Sequence, residues 1–204
     1  MKMSGGCTAR SSRRHGEAGR GRALGARLRW RLSPFRFLAI ACLVVMLCSG
    51  CATVSPAAKS LVGKPVTEGR LMLLSGDDVS LVPDDGRTKV LLFWATWCPY
   101  SKGAIEDYES LAREYAGRDD LLFYAVSIDR NEDISVLESR ISEQDLKTMQ
   151  HVFSGNDIQD EAFLSLHGNT IPYAVVIDGR GTVKFVDIGV SGLSSFLSES
   201  YSTR

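Results

Sequence analysis

A chain of 204 residues, 44% of them hydrophobic, has room for one globular domain and a targeting segment. Its formal net charge of zero hides two opposed parts: residues 1–50 carry ten Lys and Arg against the single acid Glu17, and from Cys51 onward 14 basic residues face 23 acidic ones, a net of −9. An acidic body argues against nucleic acid as a partner, because neutralising phosphates needs a basic face.

The N-terminal part reads as an address. Arg27, Arg29, Arg31 and Arg36 precede twelve apolar residues, Phe37 to Cys48, a run too short for a spanning helix of ~20 residues. Leu47-Cys48-Ser49-Gly50-Cys51 follows and resembles a bacterial lipobox, in which a small residue precedes the cysteine that is cut and lipidated. The usual leucine three residues before that cysteine is replaced by Cys48, with Leu47 one place further back. The reading is a leader over 1–50, lipidation at Cys51, a lipidated tether over 51–62 and a folded domain over 63–204. An uncleaved signal anchor or a buried helix is the bland alternative. With Cys7, Cys42 and Cys48 in the leader and Cys51 lipidated, Cys98 is left alone, so no internal disulfide is available.

Within the body, Arg70–Leu74 and Val79–Val82 around Ser75-Gly76-Asp77-Asp78 predict a β-hairpin, and Pro83-Asp84-Asp85-Gly86 a turn. Val90–Trp94 is a continuous apolar run, as in a strand covered on both faces. A helix is predicted from Pro99, a residue suited to the first helical position, to Tyr115, with Ile105, Tyr108, Leu111, Ala112 and Tyr115 on one face. Leu121–Ile128 predicts a second buried strand. Ile134–Leu146 predicts a helix with Val136, Leu137 and Ile141 inward, His151–Phe153 a short strand, and Ala162–Leu166 a brief helix ended by Gly168. Tyr173–Ile177 and Thr182–Val186 flank Asp178-Gly179-Arg180-Gly181 as a second hairpin, and a helix over Leu193–Ser200 closes the chain. The order implies an α/β fold, a mixed central sheet with helices on both faces and an N-terminal β-hairpin.

The chemistry concentrates at Trp94-Ala95-Thr96-Trp97-Cys98-Pro99-Tyr100-Ser101. A cysteine at a strand-to-helix junction lies near unpaired helix N–H groups and the positive end of the macrodipole, which favours the nucleophilic thiolate. Lys102 adds charge nearby, and Ser101 is placed to donate a hydrogen bond to the sulfur.

The segment Phe93-Trp94-Ala95-Thr96-Trp97-Cys98-Pro99 resembles the active site of the thioredoxin superfamily, especially its exported TlpA-like thiol–disulfide oxidoreductases. The resemblance runs from about Gly63 to Gly189 and takes in Gly63-Lys64-Pro65 and Ile171-Pro172. It implies a thioredoxin-like fold, a cis peptide before Pro172, and a substrate rim of Trp97, Pro99, Tyr100, Ile171 and Pro172 around the nucleophile Cys98. Three departures stand beside it. Ser101 occupies the place of the resolving cysteine, Ala104 that of a glutamate used in proton transfer, and Leu92 that of the buried aspartate of ordinary thioredoxins. A mixed disulfide on Cys98 would thus have no second thiol in the chain to resolve it.

Three readings of Cys98 follow: a monothiol enzyme acting on exported protein thiols and disulfides and released by glutathione or a partner protein's thiol, a relic that keeps the fold without the redox role, and a one-cysteine peroxidase; the contrasting class of function is a non-catalytic thioredoxin-fold binding module using the same groove. The third is disfavoured because peroxiredoxins place threonine three residues before the cysteine, whereas Thr96 is two before. No cofactor is expected and no metal, since His151 and His167 lack cysteines or carboxylates at ligand spacing. The aspartate doublets at 77–78, 84–85 and 119–120 read as solvated turns. The expected location is the bacterial cell envelope, with the domain lipid-anchored to a membrane and facing the periplasm or exterior.

Overall fold

The computed structural model describes residues 53–82 and 85–201; the expected leader, the lipidation position Cys51 and the turn residues Pro83 and Asp84 lie outside them. In chain order the elements are α1 (Pro56–Lys59), β1 (Arg70–Met72), β2 (Asp78–Ser80), β3 (Thr88–Trp94), α2 (Pro99–Glu114), β4 (Leu121–Ser127), α3 (Ile134–Glu143), β5 (Gln150–Phe153), α4 (Glu161–Ser165), β6 (Tyr173–Ile177), β7 (Val183–Ile188) and α5 (Ser191–Ser200).

The apolar run Val90–Trp94 becomes the centre of a five-stranded sheet, ordered β5-β4-β3-β6-β7. All seven residues of β3 are buried. β4 pairs parallel with β3 and with β5, whereas β6 pairs antiparallel with β3 and with β7. Because alternate strand residues point to opposite faces, β3 divides its side chains between two cores. Val90, Leu92 and Trp94 pack with Ile105, Tyr108 and Leu111 of α2, Leu137 of α3, and Leu193 and Leu197 of α5. Leu91, Phe93 and Ala95 pack on the other face with Leu71 of β1, Leu81, and Ala162 and Phe163 of α4. The result is the expected thioredoxin-like α/β fold, with its N-terminal hairpin β1–β2 in register Arg70–Ser80 to Met72–Asp78. Leu73 bridges to Val152, which carries that hairpin onto the β5 edge.

Packing begins earlier than the tether reading allowed. Ser55 caps α1 by accepting the Ala58 N–H at 3.1 Å, and Val54 and Ala58 are buried in the second core. The stretch is therefore docked on the folded body through Val54 and Ala58, whose small apolar side chains find a surface that sequence spacing could not display. The helix from Ile134 is also shorter than predicted: it stops at Glu143, and Asp145 turns the chain with a φ of 53°. Val136 is exposed, while Leu137 supplies the buried contact. After α4 it is His167 that takes the left-handed backbone, at φ 53°. Gly168 is needed for another reason: a Cβ there would stand 2.2 Å from the Phe163 ring.

Candidate active site

Cys98 lies in the turn after β3, as the N-cap of α2, with Pro99 at the first helical position. Four hydrogen bonds hold the turn leading into it. The Cys98 N–H donates to Ala95 O at 3.2 Å, and the Ala95 N–H donates to Ser101 Oγ at 3.3 Å. The Thr96 N–H and the Thr96 hydroxyl both donate to Asp129 Oδ1, at 3.0 and 2.8 Å. Asp129 is fully buried and also receives the Ser127 hydroxyl at 2.7 Å, so its carboxylate joins the turn to the end of β4. A buried carboxylate costs several kcal/mol of hydration unless donors surround it, and here three groups do.

The structure brings most of the expected rim together. Ile171–Pro172 is a cis peptide in the segment before β6, and the Cys98 S–H donates to Ile171 O at 3.9 Å. Tyr100, Ile171 and Pro172 line a groove of about 520 Å³ with Ala104, Ile188 and Val190. Cys98 itself is 7% exposed, while Tyr100 is 81% and Trp97 54% exposed. Trp97 lies outside that groove and faces a second cavity with Arg130, Asp157 and Ile158. Pro99 is exposed at the helix start, and Trp94 is in the core.

One expectation about hydrogen bonding is corrected. Ser101 does not bond the sulfur: its hydroxyl is buried and taken by the Ala95 N–H, so its effect on Cys98 runs through the backbone of the turn. Glu106, also on α2, accepts from Gln144 Nε2 at the end of α3. Sequence reasoning missed Asp129 and Ser127. The spacing Ser127-Ile128-Asp129 at a strand end was the available signal, but its target lies 33 residues away. It likewise missed Glu109, a buried carboxylate on α2 that receives the Thr148 N–H and hydroxyl and the Arg113 guanidinium. Burial raises the phenol pKa of Tyr108, whose hydroxyl donates to Val90 O at 2.7 Å, well above its ordinary value.

A profile described as the AhpC/TSA family matches residues 62–186. The sporulation thiol-disulfide oxidoreductase A of Bacillus subtilis (strain 168) is 25% identical over 116 residues, covering 57% of this chain and 67% of that protein. A thiol-disulfide oxidoreductase from Bacteroides fragilis NCTC 9343 superposes with a TM-score of 0.59 at 22% identity, over 67% of this chain and 98% of that one. StoA from Bacillus subtilis superposes with a TM-score of 0.52 at 23% identity, over 65% and 98%. At such identities the structural likeness speaks for the fold.

Proposed function

The chain belongs to the AhpC/TSA family, and we propose that it is a thioredoxin-like thiol–disulfide oxidoreductase using one thiol, held at the cell-envelope membrane by a lipid on Cys51. The observation that carries the reading is Cys98, at the N-terminus of a 16-residue helix, with its sulfur against Ile171 O at the edge of an apolar groove. The Cys98 thiolate attacks one sulfur of a substrate disulfide, forms a mixed disulfide and releases the other sulfur as thiolate. The groove takes the polypeptide beside the attacked cystine, with Tyr100, Ile171 and Pro172 as its walls and Pro99 and Trp97 at its rim. Asp129 and Ser101 keep the turn in place while the sulfur changes partners. Since Ser101 stands where a second thiol would act, an external thiol or redox partner protein completes the cycle. The order of basic segment, apolar run and lipobox-like Leu47–Cys51 supports export and anchoring.

Burial of Cys98 to 7% favours a second reading, a membrane-held binding module that uses the groove and no chemistry. The peroxidase reading loses support, because the Thr96 hydroxyl is committed to Asp129. Incubation with an oxidised protein such as insulin, followed by non-reducing gels, separates the first two. A Cys98-dependent adduct is expected, absent in Cys98→Ser. Groove binding that survives alkylation of Cys98, with no adduct in any arm, would replace the enzyme by the binding module.

A further inference from the structure

Two cavities adjoin the residues around Cys98, one lined by Trp97 and the other by Tyr100 and Ile171, and the sheet order assigns them to different flanks of β3. β3 ends at Trp94, four residues before Cys98, with β4 and β5 on one flank and β6 and β7 on the other. The groove holding Ile171 and Pro172 belongs to the β6–β7 flank. On the β4–β5 flank, Trp97, Arg130, Asp157 and Ile158 line a cavity of about 390 Å³.

This second cavity is built by the loops after β4 and β5, which are fastened to each other. Arg130 and Asn156 form a backbone bridge, and Gly155 lies so close that a Cβ would stand 2.0 Å from Asn131 Oδ1. Arg130 Nε donates to Asp157 Oδ2 at 2.8 Å, and its Nη1 lies 3.9 Å from Glu132 Oε1. The Asp157 bond fixes the direction of the guanidinium yet uses one of its five N–H donors. Among the described residues no hydrogen bond takes its terminal nitrogens or Asp157 Oδ1. An oriented cation with unspent donors thus stands next to a carboxylate with an unspent acceptor, beside the indole of the residue preceding Cys98. The complement of that pair is an α-amino-acid head group, its carboxylate on Arg130 and its ammonium on Asp157.

We infer that this cavity is the subsite for the small thiol that resolves Cys98, and that this thiol is of the amino-acid class, such as cysteine or glutathione. The inference rests on the monothiol reading above. In thiol–disulfide exchange the incoming, attacked and departing sulfurs lie roughly in line. With the protein substrate in the β6–β7 groove, the incoming thiolate reaches Cys98 from the β4–β5 flank. That thiolate attacks Cys98 Sγ, forming a Cys98–thiol disulfide and expelling the second substrate thiolate. A second thiol molecule then attacks the sulfur of the first, freeing Cys98 and leaving a small-molecule disulfide. Two electrons and two protons pass from two thiols to one protein disulfide, which becomes a dithiol.

The test charges the full chain with 2-thiopyridine through 2,2′-dithiodipyridine and follows thiopyridone release, with Cys98→Ser supplying the background from the other cysteines. Cysteine and cysteamine share the thiol and the ammonium and differ by the carboxylate. Discharge by cysteine should saturate with concentration and fall about tenfold in Arg130→Gln, while discharge by cysteamine stays within about twofold. Asp157→Asn should slow cysteine more than 3-mercaptopropionate, which has no ammonium. Equal slowing of all thiols, or no slowing of any, overturns the inference. Because the charging is chemical, this outcome is independent of whether Cys98 forms adducts with protein disulfides, whose absence would count against the monothiol reading instead.

Discussion

The carboxylate of Asp129 holds Thr96 twice, by its backbone N–H at 3.0 Å and by its hydroxyl at 2.8 Å, two residues before Cys98. Replacing Asp129 by Ala strands the half-buried Thr96 donors and the buried Ser127 hydroxyl. The expected cost is about 3 kcal/mol, since each unsatisfied buried group costs about 1–3 kcal/mol and the turn relaxes in part. Asp129→Asn, which keeps one acceptor oxygen, should lose less. Urea denaturation of the three proteins measures the order; an alanine variant within about 0.5 kcal/mol of wild type would show that the turn holds without the carboxylate.

Ser101→Cys should turn over insulin with dithiothreitol as donor at least about tenfold faster than the wild type, because an intramolecular thiol acts at a far higher effective concentration than a dissolved one. Residue 101 lies three places after Cys98 on the first turn of α2, a spacing at which side chains are neighbours. Wild type should instead accumulate long-lived adducts on non-reducing gels. Ser101→Ala, which removes only the acceptor for the Ala95 N–H, should cost about 1 kcal/mol of stability and give no such gain. Equal inertness of Ser101→Cys and wild type, with no adducts in either, would place the limit in the groove and not in the missing thiol.

Stability should fall on acidification through His151. Burial lowers its pKa from the ordinary value near 6.5, with the Leu146 carbonyl bond and the charge of Glu109 offsetting this in part. Its Nε2 lies 2.9 Å from Leu146 O, and its Nδ1 is buried with no hydrogen-bond partner among the described residues, so the neutral ring suits the site. The folded state thus binds a proton less readily than the unfolded chain. The contribution is present above the unfolded pKa and is lost as the pH drops from there through the lowered folded value. Urea midpoints at pH 7.5 and 5 should differ more for wild type than for His151→Gln; identical pH slopes would remove His151 from the account.

Labelled fatty acid fed to expressing cells should mark the wild-type protein and not Cys51→Ala. Val54, buried in the second core, lies three residues after that cysteine, so an anchor there holds the folded body close to the membrane surface. A residue extends at most ~3.6 Å, which leaves about 10 Å of chain between them. Equal labelling of both proteins, or a mature N-terminus elsewhere, would remove the anchor.

What the sequence determined by itself was local in kind. The unbroken run Val90–Trp94 announced a doubly covered strand, Pro99 the start of a helix, and Asp178–Gly181 a hairpin, because each rests on backbone preferences or periodicity within a few residues. The same stretch singled out Cys98, and the family resemblance added Ile171–Pro172, whose Ile171 carbonyl the fold sets 3.9 Å from the sulfur. The tertiary structure decided what depends on partners distant in the chain. Asp129 at Thr96, Glu109 at Thr148 and Arg130 at Asp157 are separated by 33, 39 and 27 residues, and no periodicity encodes such meetings. It also decided that Ser101 serves the backbone of Ala95 and not the sulfur, and that Val54 and Ala58 are core and not tether. A small polar or apolar side chain takes its role from whichever surface the folded chain brings within about 3–4 Å of it, and that surface exists only once the sheet has closed.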